Sequence, residues 1–360
     1  MSDHPDKSAR KGRGATLNLE GRFATCSRTR DDDGWGSLDE PLPPLETVVQ
    51  PETARSIVSR NDSPDLPMSQ SINPYRGCEH GCIYCYARPS HAYVDLSPGL
   101  DFETRLFYKR DAAALLQKEF RKPGYRPSPI MLGANTDAYQ PIERELRVTR
   151  SLLEVMRDFR HPVSIVTKSA LVLRDIDLLT ELAANDLVQV MVSITSLDPE
   201  IKRTLEPRTA GPAARLRVIR ELSSAGVPTG VMVAPVVPAI TDHEIERIVA
   251  AAADAGAARA NYVMLRLPHE VKTLFRAWLD AHYPDRAGRV MSLIREMRGG
   301  RDYDSRFGTR LRGEGPYAEL IERRFEAACR RHGLPRPDAR PLRTDLFAPP
   351  TSVGSQLGLF

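Results

Sequence analysis

The alternation of short apolar runs with helical patterns constrains the fold of this chain more than any other feature of its sequence. The runs are rich in β-branched residues, and runs that are apolar throughout are typical of strands buried on both faces of a sheet. A further strand is expected at about residues 70–75. The five central runs are PIMLGA (129–134), VSIVT (163–167), VQVMVSI (188–194), VMVAPVV (231–237) and YVMLRL (262–267).

Helical patterns occupy the segments between these runs. The pattern TDHEIERIVAAAADAG opens with a predicted capping box of Thr241 and Glu244 and ends at Gly256. A strand–helix–strand order predicts βαβ units and a parallel sheet. Six units are too few for a closed eight-stranded barrel. The predicted fold class is therefore α/β, an open, partial (β/α)6 TIM-like barrel with a helical C-terminal extension and flexible termini.

Composition divides the chain into four parts. Residues 1–65 lack sustained periodicity and hold Gly, Pro and charged runs, so we expect a flexible N-terminal arm with a segment that docks on the body. Residues 66–270 are predicted to form the barrel. Residues 271–341 are predicted to be a helical, Arg-rich extension, and residues 342–360 a flexible Pro/Ser/Gly tail.

The bulk composition predicts a cytoplasmic protein. No apolar run approaches the ~18 residues of a membrane span, and MSDHPDKSARKGRG at the start lacks the apolar stretch of a secretory signal. In the cytoplasm thiols stay reduced, and clustered cysteines bind metal more often than they form disulfides. The net charge of +4 permits contact with nucleic acid without requiring it.

Three of the five cysteines lie within eight positions, at Cys78, Cys82 and Cys85. Such a cluster holds zinc or an iron–sulfur cluster. A four-iron cluster held by three cysteines leaves one iron open, so this loop, directly after the first predicted strand, favours a catalytic cluster. Structural zinc would need a fourth ligand. The candidates for that ligand are His80, His91, Cys26 and Cys329. We interpret the two histidines as loop or core residues and the two cysteines as unliganded.

The stretch GCEHGCIYCYA (77–87) closely resembles the signature of the radical S-adenosylmethionine (SAM) superfamily, including the aromatic Tyr84 before the last cysteine. Further segments resemble the branch that includes spore photoproduct lyase and proteins called DNA repair photolyases, and within it an uncharacterised bacterial family of stand-alone radical SAM proteins. The resemblance covers about residues 65–270. It is carried by TDAYQPIERE (136–145), VTKS (166–169), SITS (193–196), LEPRTAGPAARL (205–216) and APVVP (234–238).

The resemblance implies that the three cysteines hold a 4Fe-4S cluster and that S-adenosyl-L-methionine binds at the open iron. An external donor supplies one electron, SAM breaks into methionine and a 5′-deoxyadenosyl radical, and the radical abstracts hydrogen from a substrate. Lysine, arginine and hydroxyl donors suit a carboxylate. The implied contacts are Tyr84 near the adenine, Lys168, Ser193 and Arg215 near the SAM carboxylate, Thr136 or Asp137 at the amine, and Ala234 to Val237 along the adenine.

The last five residues, QLGLF (356–360), resemble the pentapeptide with which bacterial proteins bind the sliding clamp. In that hypothesis Gln356 orients the peptide, while Leu357, Leu359 and Phe360 enter a hydrophobic pocket. A clamp-bound enzyme would be brought to replicating or repaired DNA. The alternative is an apolar tail that docks on its own domain.

The sequence therefore predicts a radical SAM enzyme, with damaged DNA as a possible substrate. Two alternatives stay open: a radical SAM enzyme that modifies a peptide, protein or small metabolite, and a clamp-bound iron–sulfur protein for binding or redox sensing. The segment RDYDSRFGTRLRGEG (301–315) is either phosphate-contacting or a salt-bridge network. Spore photoproduct lyase returns hydrogen from a cysteine. Here no cysteine lies between Cys85 and Cys329, so that role would fall to Cys329, Tyr86 or Tyr139.

Overall fold

The structure, a computed structural model, describes residues 12–24, 45–66, 68–334 and 341–350. Three short 3-10 helices accompany the longer elements, at Arg88–Val94, Ala170–Asp175 and Asp242–Glu244. The strands are β1 (Val48–Glu52), β2 (Val58–Arg60), β3 (Gln70–Ile72), β4 (Tyr75–Arg76), β5 (Arg105–Lys109), β6 (Ile130–Leu132), β7 (Val163–Thr167), β8 (Val188–Ser193), β9 (Thr229–Val236) and β10 (Arg259–Met264). The α-helices are α1 (Asp101–Thr104), α2 (Ala112–Phe120), α3 (Glu143–Leu146), α4 (Val148–Asp158), α5 (Ile176–Ala183), α6 (Pro199–Leu205), α7 (Pro212–Ser224), α8 (Ile245–Asp254), α9 (Val271–His282), α10 (Pro284–Glu296) and α11 (Pro316–Arg331).

The main sheet has seven strands in the order β10-β9-β8-β7-β6-β3-β2. The six strands from β3 to β10 pair in parallel, and β2 joins the edge antiparallel to β3. Since β10 and β2 are the two ends of this order, the barrel is open, as the sequence predicted. The carboxyl ends of the six parallel strands lie at one edge, which we call the mouth.

A second, three-stranded sheet lies beside the start of the barrel, in the order β1-β5-β4. Strand β4 ends at Arg76, two residues before Cys78, and β5 runs antiparallel to it. This small sheet therefore fixes the point from which the cysteine segment leaves the barrel.

The buried runs of the sequence form the core. The strand Val163–Thr167 is buried at four of its five positions because helices cover the sheet. On α4 the residues Leu152, Leu153 and Met156 recur at helical spacing and are fully buried. The predicted C-terminal helices are present as α9, α10 and α11. Within the described parts of the chain, every helix is too short or too polar to cross a membrane.

The predicted capping box at Thr241 and Glu244 is wrong. The Thr241 hydroxyl accepts a hydrogen bond from the Val237 amide at 2.9 Å. The Glu244 carboxylate accepts from the Ser196 hydroxyl at 2.5 Å and the Leu197 amide at 2.9 Å. Both side chains thus tie neighbouring loops at the mouth, because tertiary partners compete with the local cap.

The described parts of both termini dock on the body of the protein, as the sequence predicted for a segment of the N-terminal arm. In the N-terminal arm, β1 and β2 belong to the two sheets, and residues 12–24 pack on the cysteine segment as described below. In the C-terminal tail, the Ala348 amide donates to Phe159 O at 3.1 Å. Phe347 enters an aromatic cluster with Phe120, Tyr125 and His161. Cys26 and QLGLF (356–360) lie outside the described residues.

His161 is the polar member of this aromatic cluster and yields a prediction. Burial lowers the pKa of its ring from 6.5 to about 4, and the ring stacks on Phe120 at 4.3 Å. The unfolded chain takes up this proton at higher pH than the folded one, so the stabilisation present above pH 6.5 is lost as the pH falls towards 4, by about 1.4 kcal/mol per pH unit.

The substitution His161→Phe keeps an aromatic ring and removes the titrating group. Urea denaturation between pH 4.5 and 7.5 should show that the free energy of unfolding falls less steeply with acid in the variant, by about 1 kcal/mol per pH unit. Equal slopes for the two proteins would contradict the buried, neutral state of His161.

Candidate functional site

The cysteine segment follows β4 and turns back through two glycines with positive φ. Gly77 has φ +76° and Gly81 has φ +67°. A Cβ on Gly77 would lie 2.6 Å from Leu106 Cδ2, and one on Gly81 would lie 2.7 Å from Glu103 Oε2. Only glycine meets both the conformation and the lack of space, so these two residues bring Cys78 and Cys82 onto one compact loop.

A buried ion pair binds the backbone of this loop. Arg88 and Glu103 are both fully buried and lie 2.5 Å apart. Arg88 also donates to the carbonyl oxygens of Cys82 at 2.9 Å and Gly81 at 3.1 Å. The guanidinium group therefore satisfies loop carbonyls that a buried turn would otherwise leave without partners.

Residues 12–24, which we call the strap, cover the same loop from outside. The amides of Gly14 and Ala15 donate to the two Glu103 carboxylate oxygens at 3.0 and 2.9 Å. Arg13 donates to Glu103 O at 3.0 Å. Apolar strap residues, with Ala15 fully buried, join the hydrophobic cluster that contains Cys82 and Tyr84. The strap is thus part of the cysteine site, although it lies more than fifty residues earlier in the chain.

Two of the three predicted ligand thiols are buried. Cys78 and Cys82 are 7% and 8% exposed, and Cys85 is partly exposed. Burial raises the pKa of all three thiols, and for Cys82 the value rises to about 12. Buried thiols beside Lys168 fit an iron–sulfur cluster, because iron replaces the proton and neutralises the thiolate.

The candidates for a fourth zinc ligand have other partners where they are described. His80 pairs with Asp137 at 3.4 Å. His91 packs on Phe102, and its Nε2 donates to Arg105 O at 2.9 Å. Cys329 is buried on α11 in the main core. Among the described residues, no group of three or more Cys, His, Asp or Glu side chains converges on a single ion.

Glu206 is a central site residue that the sequence analysis did not single out. It is 1% exposed and accepts hydrogen bonds from the hydroxyls of Tyr84 and Thr195, the latter at 2.6 Å. It also forms a buried ion pair with Arg215. Burial raises its pKa, but Arg215, Lys168 and the hydroxyl donors outweigh burial and lower the pKa to about 2. The sequence signal that could have identified Glu206 is its position within LEPRTAGPAARL (205–216), one of the segments that carry the family resemblance.

Arg215, predicted near the SAM carboxylate, is engaged with the protein. Its Nε donates to Ala210 O at 2.8 Å, and its terminal nitrogens donate to Ser193 O at 2.9 Å and Thr209 Oγ1 at 2.6 Å. Each nitrogen already has a protein acceptor, Glu206 included. Its role towards SAM stays a prediction. In the structure it holds the end of β8 and Glu206 in place.

The predicted amine-binding residues also have protein partners. Asp137 accepts from Thr167 Oγ1 at 2.8 Å with one carboxylate oxygen and from the Lys168 amide at 2.7 Å with the other. Burial raises the pKa of Asp137, but His80 and these hydrogen bonds lower it to about 2. Thr136 is buried and donates to Tyr75 O at 2.9 Å. Binding of the SAM amine by either residue stays a prediction.

Lys168 is the predicted SAM contact whose charged group has no hydrogen-bond or ion-pair partner among the described residues. Its ammonium lies 5.9 Å from the centroid of the Tyr84 ring and forms no hydrogen bond or ion pair among the described residues. Its backbone is fixed, because the amide donates to Asp137 and the carbonyl accepts from Ala210 N at 3.2 Å. The structure therefore supplies a positioned cation beside the cysteine loop.

The remaining predicted SAM contacts lie on the neighbouring strand ends. Ser193 is fully buried and donates to Ala234 O at 2.9 Å, which links β8 to β9. Ala234 precedes a cis peptide bond to Pro235. Val237 is fully buried in the cluster that contains Cys82 and Tyr84. These residues line the same edge of the sheet as Lys168, and their contact with adenine or carboxylate stays a prediction.

The three candidate hydrogen donors differ in exposure. Cys329 is buried on α11, which packs against α8, and Tyr139 is fully buried in the core. Tyr86, next to Cys85, is 44% exposed, and its hydroxyl donates to Ala134 O. Of the three, Tyr86 is the one that reaches the surface of the mouth.

The segment 301–315 contains paired arginines. Arg306 forms ion pairs with Asp304 at 2.7 Å and Glu314 at 2.9 Å. Arg310 binds both carboxylate oxygens of Asp65, at 2.6 and 2.7 Å. Of the two interpretations from sequence, these contacts favour the salt-bridge network for Arg306 and Arg310.

The strap gives a direct prediction. A Cβ on Gly14 would lie 1.8 Å from Gly81 O, whereas one on Gly211 would meet nothing within 4 Å. The substitution Gly14→Ala should displace the strap and expose the loop thiols. In the protein without its cluster, we expect reaction with Ellman's reagent to accelerate about tenfold or more, since access governs thiol reactivity. Gly211→Ala is the matched control. An unchanged rate in Gly14→Ala would show that the strap does not cover the thiols.

Comparison with known proteins identifies the family. Residues 72–252, about half of the chain, match the model of the Radical SAM superfamily. The chain therefore belongs to the radical SAM superfamily, and it is a radical SAM enzyme that uses a 4Fe-4S cluster and SAM. Enzymes of this kind need an external electron donor. The strap precedes the matched region.

Individual relatives leave the substrate open. An uncharacterized protein of Mycobacterium tuberculosis is 38% identical over 232 residues, which are 64% of this chain and 68% of the relative. An uncharacterized protein of Methanocaldococcus jannaschii is 29% identical over 173 residues, 48% of this chain and 62% of the relative. Among solved structures, a mutant of spore photoproduct lyase with bound AdoMet and dinucleoside spore photoproduct has a TM-score of 0.57 at 18% identity, with 81% of each chain covered. That likeness shows the fold.

Proposed function

We propose that Cys78, Cys82 and Cys85 ligate three irons of the 4Fe-4S cluster and that SAM binds at the fourth iron. The observation that carries this proposal is that the loop of three thiols, two of them buried, lies beside the Lys168 ammonium at the mouth of the barrel. Bound by these three thiols, the cluster would supply the electron for the reductive cleavage of SAM. The chain supplies the ligands, the orientation of SAM and the exclusion of water.

The side chains around the thiols have separate roles in binding SAM and in closing the loop. Lys168 meets the SAM carboxylate, because a fixed ammonium without an internal acceptor suits a carboxylate. Tyr84 lies between Lys168 and Glu206, and its hydrogen bond to Glu206 fixes the ring beside the loop. The strap and the Arg88–Glu103 pair keep the loop closed, which protects the thiol ligands from solvent.

We further propose that the substrate is a lesion in DNA. The support is the fold that the chain shares with spore photoproduct lyase, a structure of which contains dinucleoside spore photoproduct. Cys329 does not fit the role of hydrogen donor, because it is buried on α11 in the main core. Tyr86 fits that role by its exposure and its position next to Cys85. Binding of a sliding clamp through QLGLF stays a prediction on residues outside the described ranges.

The central test is an anaerobic assay for 5′-deoxyadenosine with iron, sulfide, dithionite and SAM. The wild type should form the product. A triple variant with Cys78→Ala, Cys82→Ala and Cys85→Ala should form none, because the cluster loses every protein ligand. Cys329→Ala is the control and should retain activity. Product formation by the triple variant would refute the assignment of the ligands.

Lys168 gives a second prediction. Lys168→Met removes the ammonium and keeps much of the side-chain volume, so the Kd of SAM should rise about tenfold or more. Lys118→Met, at an exposed position of α2, is the matched control. Calorimetric titration of the reconstituted proteins with SAM measures both. Equal affinities in the two variants would remove Lys168 from the SAM site.

A further inference from the structure

Arg266, two residues beyond the end of β10, has an incomplete set of partners. Its Nε is buried from solvent and donates to nothing among the described residues. One terminal nitrogen reaches the Tyr303 hydroxyl at 3.4 Å, and no carboxylate within the described ranges pairs with this guanidinium. A partly buried arginine without an acceptor is costly, and an anionic ligand would remove that cost.

Two other arginines near this position have protein partners. Arg298 donates to Thr309 O at 2.8 Å and Leu265 O at 3.2 Å. Arg310 is neutralised by Asp65. The guanidinium of Arg266, by contrast, has no carbonyl or carboxylate acceptor among the described residues.

Arg266 is also stacked on an exposed aromatic ring. Its guanidinium lies 5.3 Å from the centroid of Tyr86, which follows Cys85. Nearby, Arg310 lies 4.7 Å from the ring of Phe307, which is 55% exposed. Arg298 donates to both Leu265 O and Thr309 O, so the segment that carries Phe307 and Arg310 lies beside Arg266. Exposed rings that alternate with arginines are typical of surfaces for unpaired nucleotides.

We propose that Arg266 binds a phosphodiester of the substrate, with Tyr86 and Phe307 as stacking faces for the adjoining bases. The proposal rests on the proposed function, since it gives the radical SAM site a nucleic-acid substrate with unpaired bases. A phosphate takes two hydrogen bonds from the planar fork of arginine. The terminal nitrogen that lies 3.4 Å from the Tyr303 hydroxyl is the first of these donors, and the enclosed Nε becomes the second when the side chain turns towards the phosphate.

The test compares two probes on the reconstituted protein with SAM. One is the dinucleoside monophosphate of thymidine, and the other is its neutral methylphosphonate analogue. In equilibrium dialysis the wild type should bind the phosphate form about tenfold or more tightly than the neutral form. This difference should vanish in Arg266→Gln and be reduced in Arg266→Lys, which keeps the charge but loses the fork. Circular dichroism verifies that each variant folds.

Arg306→Gln is the matched control, because Arg306 is exposed and paired with Asp304 and Glu314. It should keep the wild-type preference for phosphate. A preference that persists in Arg266→Gln would overturn the proposal, and so would failure of the wild type to bind the dinucleotide. Tighter binding of an acidic peptide, lost in Arg266→Gln, would instead assign the subsite to carboxylates and also overturn it. The proposed function is tested separately, by 5′-deoxyadenosine from the wild type without dinucleotide.

Discussion

The buried pair of Arg88 and Glu103 is the interaction on which the cysteine site depends. Arg88 satisfies carbonyls within the loop, and Glu103 receives the amides of Gly14 and Ala15 from the strap. One carboxylate thus joins three segments that are far apart in sequence. A buried pair is costly to break, because removal of one partner leaves the other charge without compensation. The pair therefore fixes the backbone of the loop that carries Cys78 and Cys82.

Two further carboxylates connect the loop to the strand ends. Asp137 joins His80 of the loop to Thr167 and Lys168 at the end of β7. Glu206 joins Tyr84 to Thr195 and Arg215. Their pKa values are both lowered to about 2, so both carry negative charge at neutral pH. The two carboxylates bind the hydroxyls of Tyr84, Thr167 and Thr195 and the guanidinium of Arg215. The Lys168 ammonium is left available for a ligand.

The sequence was sufficient to predict the barrel, because apolar runs and helical periodicity are local signals. The run VSIVT became a strand with unchanged bounds, and the six parallel strands were counted correctly. The sequence predicted a docking segment in the N-terminal arm, but it did not show which residues form the strap or that Phe347 docks, since their partners are distant in sequence and their composition is that of a loop. For the same reason Thr241 and Glu244 resembled a cap but bind other loops. Within the site, residue types indicated Lys168 and the cysteines. Sequence could not show that Arg215 and Asp137 already have protein partners, nor that Glu206 and Arg266 lie at the mouth.

The most direct test of the account is the electron paramagnetic resonance spectrum of the reconstituted, dithionite-reduced protein before and after addition of SAM. If SAM binds at an iron that the three cysteines leave open, the reduced 4Fe-4S signal should change its g values on addition of SAM. That change should weaken in Lys168→Met. A spectrum that SAM leaves unaltered, from a protein with a full complement of four irons, would contradict an open iron and with it the central claim.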